Sequence, residues 1–522
     1  MSETSNTYDE VPYESRAFPQ THPDRLATIA TVFGLEAPSI DTCRVLELGC
    51  AGGGNLIPMA CYIPGASFVG VDSSIREVQQ ARETISALRL DNIRVEHASI
   101  MDVGADWGEY DYIICHGVYS WVEPEIQEKI LQIAGTRLTA TGVGYISYNT
   151  YPGWHLRESI RHMMRYHVEP IPEPGERIAQ ARALLDFLAD SVPQESGAYG
   201  RLLHDELNLL RRCGDWYVYH EHLEQTNSPL YFHQFVERAE RHGLQFLAEA
   251  ELASMLSHRF PDPVAETLER LSPDLLHLEQ YMDFVRNRRF RQTLLCGADH
   301  RLRRTLSPQV IETLSFAAPI QPEAQQPSLA AGVTVGFGAG SDLRLDSERP
   351  ATKAALIIMG ESWPAAIHWE DLAESALERA ATHLDSSVEA ARRALAEDLF
   401  QCALSGAVEL HRWSGDFVTD PSPRPKAHAL TSWQASRGGL VVNKRHETVA
   451  LDPLGRALVA LLDGRRERRD LLDELLRHPP EDLSTSRPSN QATAPPAKDA
   501  EALALDIDEA LRSLARCALL AQ

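Results

Sequence analysis

The sequence has no Cys-x-x-Cys pair, no long apolar run and no excess of basic residues, and each absence removes a class of protein. Its eight cysteines are scattered along 522 residues, so we expect buried thiols rather than disulfides or zinc ligands. No run approaches the roughly 18 apolar residues of a membrane span. The formal net charge of −24 argues against a nucleic-acid partner, because phosphate binding depends on lysine and arginine, and it permits a basic protein partner.

The sequence also lacks the features of a secreted protein and of a metal-binding protein. The first residues carry neither the basic nor the apolar part of a secretion signal, so a cytoplasmic location is expected. His220 and His222 are two residues apart and diverge on a helix, and no third ligand has matching spacing. We therefore expect no metal site.

Short apolar runs alternate with segments of helical periodicity over residues 41–150, which predicts an α/β fold built on a doubly wound, Rossmann-like parallel sheet. In such a sheet the ligand lies beyond the carboxyl ends of the strands. The predicted strands are Arg44–Leu48, Ser67–Asp72, Ile93–Glu96, Tyr110–His116 and Gly144–Tyr148.

After Gly153 the periodicity predicts amphipathic helices without intervening strands. Residues 301–360 are rich in Pro, Gly and Ala and predict a β-rich connection, after which two α+β segments resemble small winged-helix units. The Pro-, Ser- and Thr-rich stretch 478–499 predicts a disordered insertion. The predicted helices after Gly153 are Trp154–Val168, Glu176–Val192, Ser196–Cys213, Leu230–Gly243 and Leu278–Cys296.

The first predicted strand runs into a glycine-rich turn, Val45-Leu-Glu-Leu-Gly-Cys-Ala-Gly-Gly-Gly-Asn55, and the second ends in Asp72. Such a turn approaches a nucleoside ligand closely, and an acid at the end of the second strand suits its ribose hydroxyls. A dinucleotide and S-adenosylmethionine both remain possible on this pattern alone. Glu47 favours S-adenosylmethionine, because an acid suits a cationic amino group better than a pyrophosphate. The candidate cofactor residues here are Glu47, Gly49, Cys50, Ala51, Gly52, Gly53, Asn55, Asp72 and Ser73.

The ends of the later strands supply the other candidates. Ser99 and Ile100 follow the third strand, where a hydroxyl and an apolar side chain would meet the adenine. Aromatic groups after the fourth and fifth strands would surround an amine nucleophile and exclude water, or would simply pack the sheet against the helices. No Asn-Pro-Pro-Tyr tetrapeptide is present, which argues against methylation of nucleobase amines or glutamine. The candidate catalytic residues are His116, Tyr119, Trp121, Tyr148, Asn149 and Trp154, and His116 is also a cofactor candidate.

Several long motifs resemble one family. Tyr8-Asp-Glu-Val-Pro-Tyr13, Thr21-His-Pro23, the glycine turn, His116-Gly-Val-Tyr-Ser-Trp121 and Ser147-Tyr-Asn-Thr-Tyr-Pro-Gly-Trp154 are similar to class I methyltransferases with a methyltransferase regulatory domain. That family includes rickettsial protein-lysine methyltransferases acting on outer-membrane proteins. Ser73 and Ser99 stand where the family more often has a leucine and an aspartate.

The resemblance implies an S-adenosylmethionine-dependent enzyme that methylates protein lysine side chains. Small-molecule methylation, or a cofactor-binding protein without turnover, are the alternatives. The resemblance also implies a lid over the cofactor formed by Tyr8–His22 and a homodimer through the helical domain. The predicted domains are 1–165, methyltransferase with its lid; 166–300, helical regulatory or dimerisation; 301–360, connection; 361–425, winged-helix-like; and 426–522, a second winged-helix-like domain.

Overall fold

The computed structural model describes residues 10–13, 15–339, 343–479 and 500–521. The predicted insertion at 478–499 lies outside the described residues except for its first two, and the predicted lid is described only in part. The chain forms two compact units. The first contains residues 1–16, 35–60 and 64–302, and the second contains residues 17–34, 61–63 and 303–522.

A seven-stranded sheet organises the first unit. Its strand order is β3-β2-β1-β4-β5-β7-β6, and β7 runs antiparallel to both of its neighbours, whereas the first five strands are parallel. This confirms the predicted Rossmann-like α/β sheet. The strands are β1 Arg44–Leu48, β2 Ser67–Asp72, β3 Ile93–His97, β4 Tyr110–Cys115, β5 Leu138–Asn149, β6 Leu244–Glu249 and β7 Phe290–Gly297.

The central strands are apolar because helices cover both faces of the sheet. Val45, Leu46 and Leu48 of β1 are fully buried, and Val45 and Leu46 lie opposite Tyr112 and Ile113 of β4. This places the ends of β1 and β4 side by side. The helices that accompany the sheet are Leu56–Tyr62, Ile75–Leu88, Pro124–Arg137, Phe232–Glu240, Asp262–Leu271 and Leu275–Arg286.

The expectation of helices without strands after Gly153 is wrong at two places. Leu244–Glu249 and Phe290–Gly297 are strands that complete the sheet, and the predicted helix Leu278–Cys296 ends at Arg286. Arg291 lies inside β7 with no solvent exposure. The burial of Arg291 is tolerated because three acids surround it. These acids belong to other elements of the fold, so the sequence around Arg291 gives no sign that an arginine can lie inside a buried strand.

Between β5 and β6 the chain inserts a helical layer. Its core buries Ile160, Ile178, Leu185, Leu203 and Val218, at the spacing expected of amphipathic helices. Tyr219–Leu223 forms a π-helical turn in which His220 and His222 are buried. The α-helices of this layer are Gly153–Val168, Pro174–Ser191, Ala198–Leu210 and Asp215–Val218.

The second unit combines short antiparallel sheets with helices. β8 Ser315–Ala317 pairs with β12 Ile367–His368 and β13 Glu409–His411, and β14 Leu440–Val442 forms a hairpin with β15 Thr448–Ala450. The other strands are β9 Gln321–Pro322, β10 Val335–Ala339 and β11 Leu343–Ser347. Its helices are Pro23–Val32, Pro350–Ser362, Trp369–Ala380, Val388–Ser405, Ala429–Ala435, Pro453–Leu461, Arg468–Arg477 and Ala500–Arg516.

In the part of the chain that the structure describes, no helix is long and apolar enough to cross a membrane.

Candidate active site

The glycine turn after β1 uses backbone conformations that favour glycine. Gly49 has φ +74° and Gly53 has φ +76°, and Ala51 between them has φ +44°. A Cβ at Gly49 would lie 2.5 Å from Cγ2 of Val118, in the loop after β4. The turn is therefore closely covered at Gly49, and Ala51 carries a left-handed conformation that costs a non-glycine residue about 1 kcal/mol.

Glu47 lies one residue before the end of β1, where the turn begins, and it is only 3% exposed. Nδ2 of Asn55 donates to its Oε1 at 2.7 Å, whereas the buried Oε2 has no hydrogen-bond partner among the described residues. Burial raises the pKa of Glu47 to about 8, against the opposing effect of the Asn55 hydrogen bond. A buried carboxyl oxygen without a donor is costly, so this position fits a cationic or N–H donor from a bound molecule.

Asp72 closes β2 and holds the shape of the turn. Its Oδ2 accepts from the backbone N–H of Ala51 at 2.9 Å, and its Oδ1 accepts from the N–H of Ser74 at 2.9 Å. Each carboxylate oxygen can accept a second hydrogen bond, so both backbone contacts are compatible with ribose hydroxyls. The structure thus brings Asp72 to the turn, as the sequence predicts, and gives it a structural contact as well.

The three predicted residues around β2 and β3 lie at the same edge of the sheet. Ser73 is exposed, and its carbonyl oxygen lies 3.1 Å from Nε2 of His97. The Ser99 hydroxyl accepts from the N–H of Met101 at 3.2 Å and so caps a short 3-10 helix. Ile100 is partly buried against the sheet core. The Ser99 hydroxyl is therefore already engaged in capping.

His116 follows β4 and is fixed from two sides. Its Nδ1 lies 2.9 Å from the hydroxyl of the buried Tyr145, and its ring makes an edge contact with Phe290 at 6.1 Å. Burial lowers the pKa of His116 to about 4. The imidazole is consequently neutral at pH 7.

The aromatic residues predicted to surround the acceptor amine follow β4 and β5, a region we call the mouth, and they divide into two groups. Tyr119 and Tyr148 are fully buried and both contact Phe235, with Tyr148 stacked on that ring at 4.1 Å. They pack the sheet against the helix Phe232–Glu240, so the structure does not bring them to the mouth. Trp121 is half-buried and makes an edge contact with the buried Trp154 at 5.9 Å.

Asn149 ends β5 with a buried side chain. Its N–H donates to Oγ of Ser120 at 2.9 Å, and its Nδ2 donates to Oδ1 of Asn227 at 2.9 Å. Through its backbone N–H and its side chain together, Asn149 therefore joins the loop after β4 to the loop before the helix Phe232–Glu240.

The sequence pattern missed the contact of the amino-terminal segment with the turn. Oγ of Ser15 accepts from the N–H of Gly54 at 2.7 Å, and a Cβ at Gly54 would lie 2.5 Å from the Ser15 carbonyl group. The N–H groups of Tyr13 and Gly52 both donate to Glu77, whose pKa burial raises to about 6. Only the resemblance of Tyr8–Tyr13 to a family motif signalled this segment, because nothing in its spacing marks a ligand site.

The order of the seven strands, the glycine turn and the acids at the ends of β1 and β2 define a class I methyltransferase domain. Family models match three parts of the chain. They are described as "Methyltransferase domain" at residues 45–142, "Predicted methyltransferase regulatory domain" at 214–297, and "PKMT, C-terminal winged helix domain" at 423–519.

Individual relatives extend over almost the whole chain. An uncharacterized protein of Rickettsia prowazekii, RP789, is 34% identical over 483 residues, which cover 91% of this chain and 86% of that protein. The structure of PKMT2 from Rickettsia typhi in complex with AdoHcy has a TM-score of 0.86 at 28% identity, covering 98% of this chain and all of the other. A second PKMT2 structure has a TM-score of 0.88 at 27% identity. The chain belongs to the family of these rickettsial PKMT proteins, which are S-adenosylmethionine-dependent methyltransferases.

Proposed function

We propose that this methyltransferase transfers methyl groups from S-adenosylmethionine to lysine side chains of proteins. The observation that carries the cofactor half is the buried Oε2 of Glu47, which has no hydrogen-bond partner among the described residues, beside a turn in which Gly49, Gly53 and Gly54 leave no room for a Cβ. The lysine half is supported by the likeness to PKMT2 and by the match to the PKMT winged-helix model.

The residues around the turn fit this cofactor. Glu47 would bind the amino group of its methionine part, Asp72 would bind the ribose hydroxyls, and Ile100 would pack on the adenine. The Ser99 hydroxyl oxygen accepts one hydrogen bond in capping the 3-10 helix, and its second lone pair would accept from the adenine amine. We assign the binding site to Glu47, Asn55, Asp72, Ser73, Ser99, Ile100, His116 and the turn residues Gly49, Cys50, Ala51, Gly52 and Gly53.

When bound, S-adenosylmethionine supplies a methyl group made electrophilic by its positive sulfur. Glu47 would lose its proton on meeting the cationic amino group, because an adjacent positive charge lowers a carboxyl pKa. Asn55 keeps the other Glu47 oxygen in place during this change. Ser15 and Tyr13 cover the turn and limit the access of water.

The acceptor lysine must present a neutral amine, although an unperturbed lysine has a pKa near 10.4. A low-polarity mouth lowers that pKa. Neutral His116, with its proton on Nδ1 and donated to the Tyr145 hydroxyl, would accept a hydrogen bond from the amine at Nε2. Transfer would join the amine nitrogen to the methyl carbon as the carbon–sulfur bond breaks, with the electron pair kept by sulfur and the surplus proton of the methylated amine released to water. Four of the candidate catalytic residues would act by positioning the strand ends: Tyr119, Tyr148, Asn149 and Trp154. The side chains of Trp121 and Phe290 would line the mouth.

We also propose a homodimer through the helical layer. Tyr166 and Phe187 on this layer are 83% and 63% exposed, and a second copy packed on the layer would cover them. Sedimentation of the native chain beside Y166E and F187E tests this arrangement. A native monomer, or a dimer that both variants retain, would contradict it.

Methyl transfer is tested with S-adenosylmethionine carrying a deuterated methyl group. The purified protein is incubated with a protein extract, and mass spectrometry of peptides locates the label. We expect label on lysine Nζ, with E47Q as the matched inactive control. Label confined to small molecules would show a small-molecule methyltransferase, and no transfer by a folded protein that binds the cofactor would reject the lysine activity.

A further inference from the structure

A cavity of about 860 Å³ in the first unit has walls of unusual charge. It lies between the helices Gly153–Val168 and Ala198–Leu210 and the segment Arg286–Arg289. Five arginines and two acids line it, although acids outnumber basic residues by 74 to 50 in the whole chain. The charged residues are Arg157, Arg212, Arg286, Arg288, Arg289, Asp205 and Glu206.

Only two of the five arginines have acidic partners among the described residues. Arg157 is neutralised by Glu206, with Nε 2.9 Å from Oε1, and Arg288 is neutralised by the buried Asp283 at 3.2 Å. These pairs are part of the fold. They leave three arginines to set the charge of the cavity.

The three remaining arginines have no acidic oxygen of the described residues within 4 Å, although the buried Glu279 and Asp283 act on Arg286 from farther away. Nε of Arg212 donates to the carbonyl oxygen of Asn208 at 3.1 Å. Arg286 donates to the carbonyl oxygen of Ser254 and lies over the ring of Phe260 at 4.4 Å. Arg289 is exposed, and no acidic oxygen of the described residues lies within 4 Å of it. Against Arg212 and Arg289 stands one lining acid, Asp205, that has no cationic partner among the described residues, so the lining carries net positive charge.

The cavity adjoins the methyl-transfer mouth through a fixed piece of backbone. The N–H of Gly153 donates to the carbonyl oxygen of Arg288 at 2.9 Å, and a Cβ at Gly153 would lie 2.4 Å from Cγ of Arg289. Phe290, the next residue, pairs with Asn149 in the sheet and contacts His116. A chain whose lysine enters at His116 therefore reaches the cavity within a few extended residues, at about 3.3 Å per residue.

We infer that this cavity binds Asp or Glu side chains flanking the acceptor lysine of the protein substrate. Exposed guanidinium groups suit carboxylates. The apolar Leu156, Leu202 and Leu209 in the wall suit the methylene groups of such side chains better than a phosphate, and Asp205 disfavours a doubly charged anion. The inference rests on the proposed lysine methylation.

The test uses two fluorescein-labelled peptides with one central lysine, flanked in one by glutamates and in the other by glutamines. Anisotropy is measured with S-adenosylhomocysteine present. We expect the native protein to bind the glutamate peptide about tenfold more tightly and R212Q/R289Q to lose the difference. R201Q/R241Q removes the same charge from exposed arginines outside the cavity and retains the preference. D205N strengthens it, a gain that misfolding does not produce.

Equal affinity of the native protein for both peptides would overturn the inference, as would a preference that survives in R212Q/R289Q. Methyl incorporation into each peptide is measured in parallel. A charge preference without methyl transfer supports the cavity and rejects the proposed lysine activity. Equal methylation of both peptides, unaffected by R212Q/R289Q, supports the activity and overturns the cavity.

Discussion

Asn55 donates from Nδ2 to one carboxyl oxygen of Glu47 at 2.7 Å, while the other Glu47 oxygen, equally buried, has no partner in the described part of the chain. The pair couples the end of β1 to Asn55, the residue directly before the helix Leu56–Tyr62 that follows the glycine turn. It fixes the direction of the acid and leaves one oxygen available for the methyl donor.

Ala51 is predicted to carry backbone strain that glycine would relieve. Its φ of +44° lies in the left-handed region. We expect A51G to raise the free energy of unfolding by about 0.5 kcal/mol, since glycine's greater freedom in the unfolded chain offsets part of the gain. The matched control is A87G on the exposed face of the helix Ile75–Leu88, which should lower it by about 0.5–1 kcal/mol. Denaturant unfolding measures the free energy of unfolding of both variants. Changes of the same sign in A51G and A87G would contradict the presence of strain at Ala51.

Gly54 is predicted to set the position of the amino-terminal segment. A Cβ there would lie 2.5 Å from the Ser15 carbonyl group, so G54A should displace the segment. We expect about tenfold weaker cofactor binding with little change in the melting temperature, because few core contacts are lost. S15A removes only the hydroxyl bond to Gly54 and should weaken binding by no more than about fivefold. Unchanged binding in G54A would argue against a lid.

Arg291 is predicted to be irreplaceable by lysine. Its guanidinium meets Asp283 and Glu249 at 2.8 Å and Glu279 at 3.0 Å without solvent exposure. A lysine ammonium cannot reach three acids, so R291K should lower the free energy of unfolding by about 3 kcal/mol. R94K, which changes an exposed pair with Glu96, should cost less than about 0.5 kcal/mol. Similar unfolding curves for both variants would contradict the assignment.

Asp24 in the second unit is predicted to make a pH-dependent contribution to the free energy of unfolding. It accepts from Nδ1 of His411 at 2.7 Å and from the N–H groups of Arg412 and Trp413 at 2.8 Å. These contacts lower the pKa of Asp24 against its burial and raise the pKa of His411. The contribution is complete above the ordinary Asp pKa and below the ordinary His pKa, and it is lost as the pH rises through the raised pKa of His411.

D24N should therefore cost about 3 kcal/mol near pH 5.5 and less above the raised His411 pKa. The exposed D385N is the control and should change little. Urea unfolding across this pH range gives the comparison. A cost for D24N that does not vary with pH would show that the backbone hydrogen bonds alone matter.

The sequence predicted the first two strands to the residue and missed the last two. Strands β1, β2 and β4 are nearly continuous buried runs, as strands covered on both faces require, whereas β3 alternates between buried and exposed residues. β6, which reads Leu-Gln-Phe-Leu-Ala-Glu, and β7, which Arg291 interrupts, cannot be separated from amphipathic helix by periodicity. The burial of Arg291 depends on acids from β6 and from the helix Leu275–Arg286, which only the folded chain brings together.

The failure to predict β6 and β7 also explains why two aromatic candidates were assigned to the mouth. Tyr119 and Tyr148 stand at strand ends, so the sequence placed them with Trp121 at the mouth. Which way each side chain faces depends on the packing of the helix before β6, and Phe235 of that helix takes both rings into the core. Glu47 and Asp72 were predictable because their positions follow from the strand ends alone.

The most direct test of the account is calorimetric titration of S-adenosylhomocysteine, which carries the same amino group as the methyl donor, into the native protein and E47Q. In the free protein the pKa of Glu47 is about 8, so the folded chain holds a proton that the unfolded chain loses above about pH 4.5, and stability falls as the pH rises between these values. Binding of the ammonium group releases that proton.

We expect affinity for the native protein to rise between about pH 6 and about pH 7.5, with release of up to one proton measured in buffers of different ionisation enthalpy. E47Q should bind roughly 10- to 100-fold more weakly, without proton release, and the exposed E96Q should behave like the native protein. Equal affinity and equal proton release in native protein and E47Q would contradict the assignment of Glu47 as the residue that binds the methyl donor.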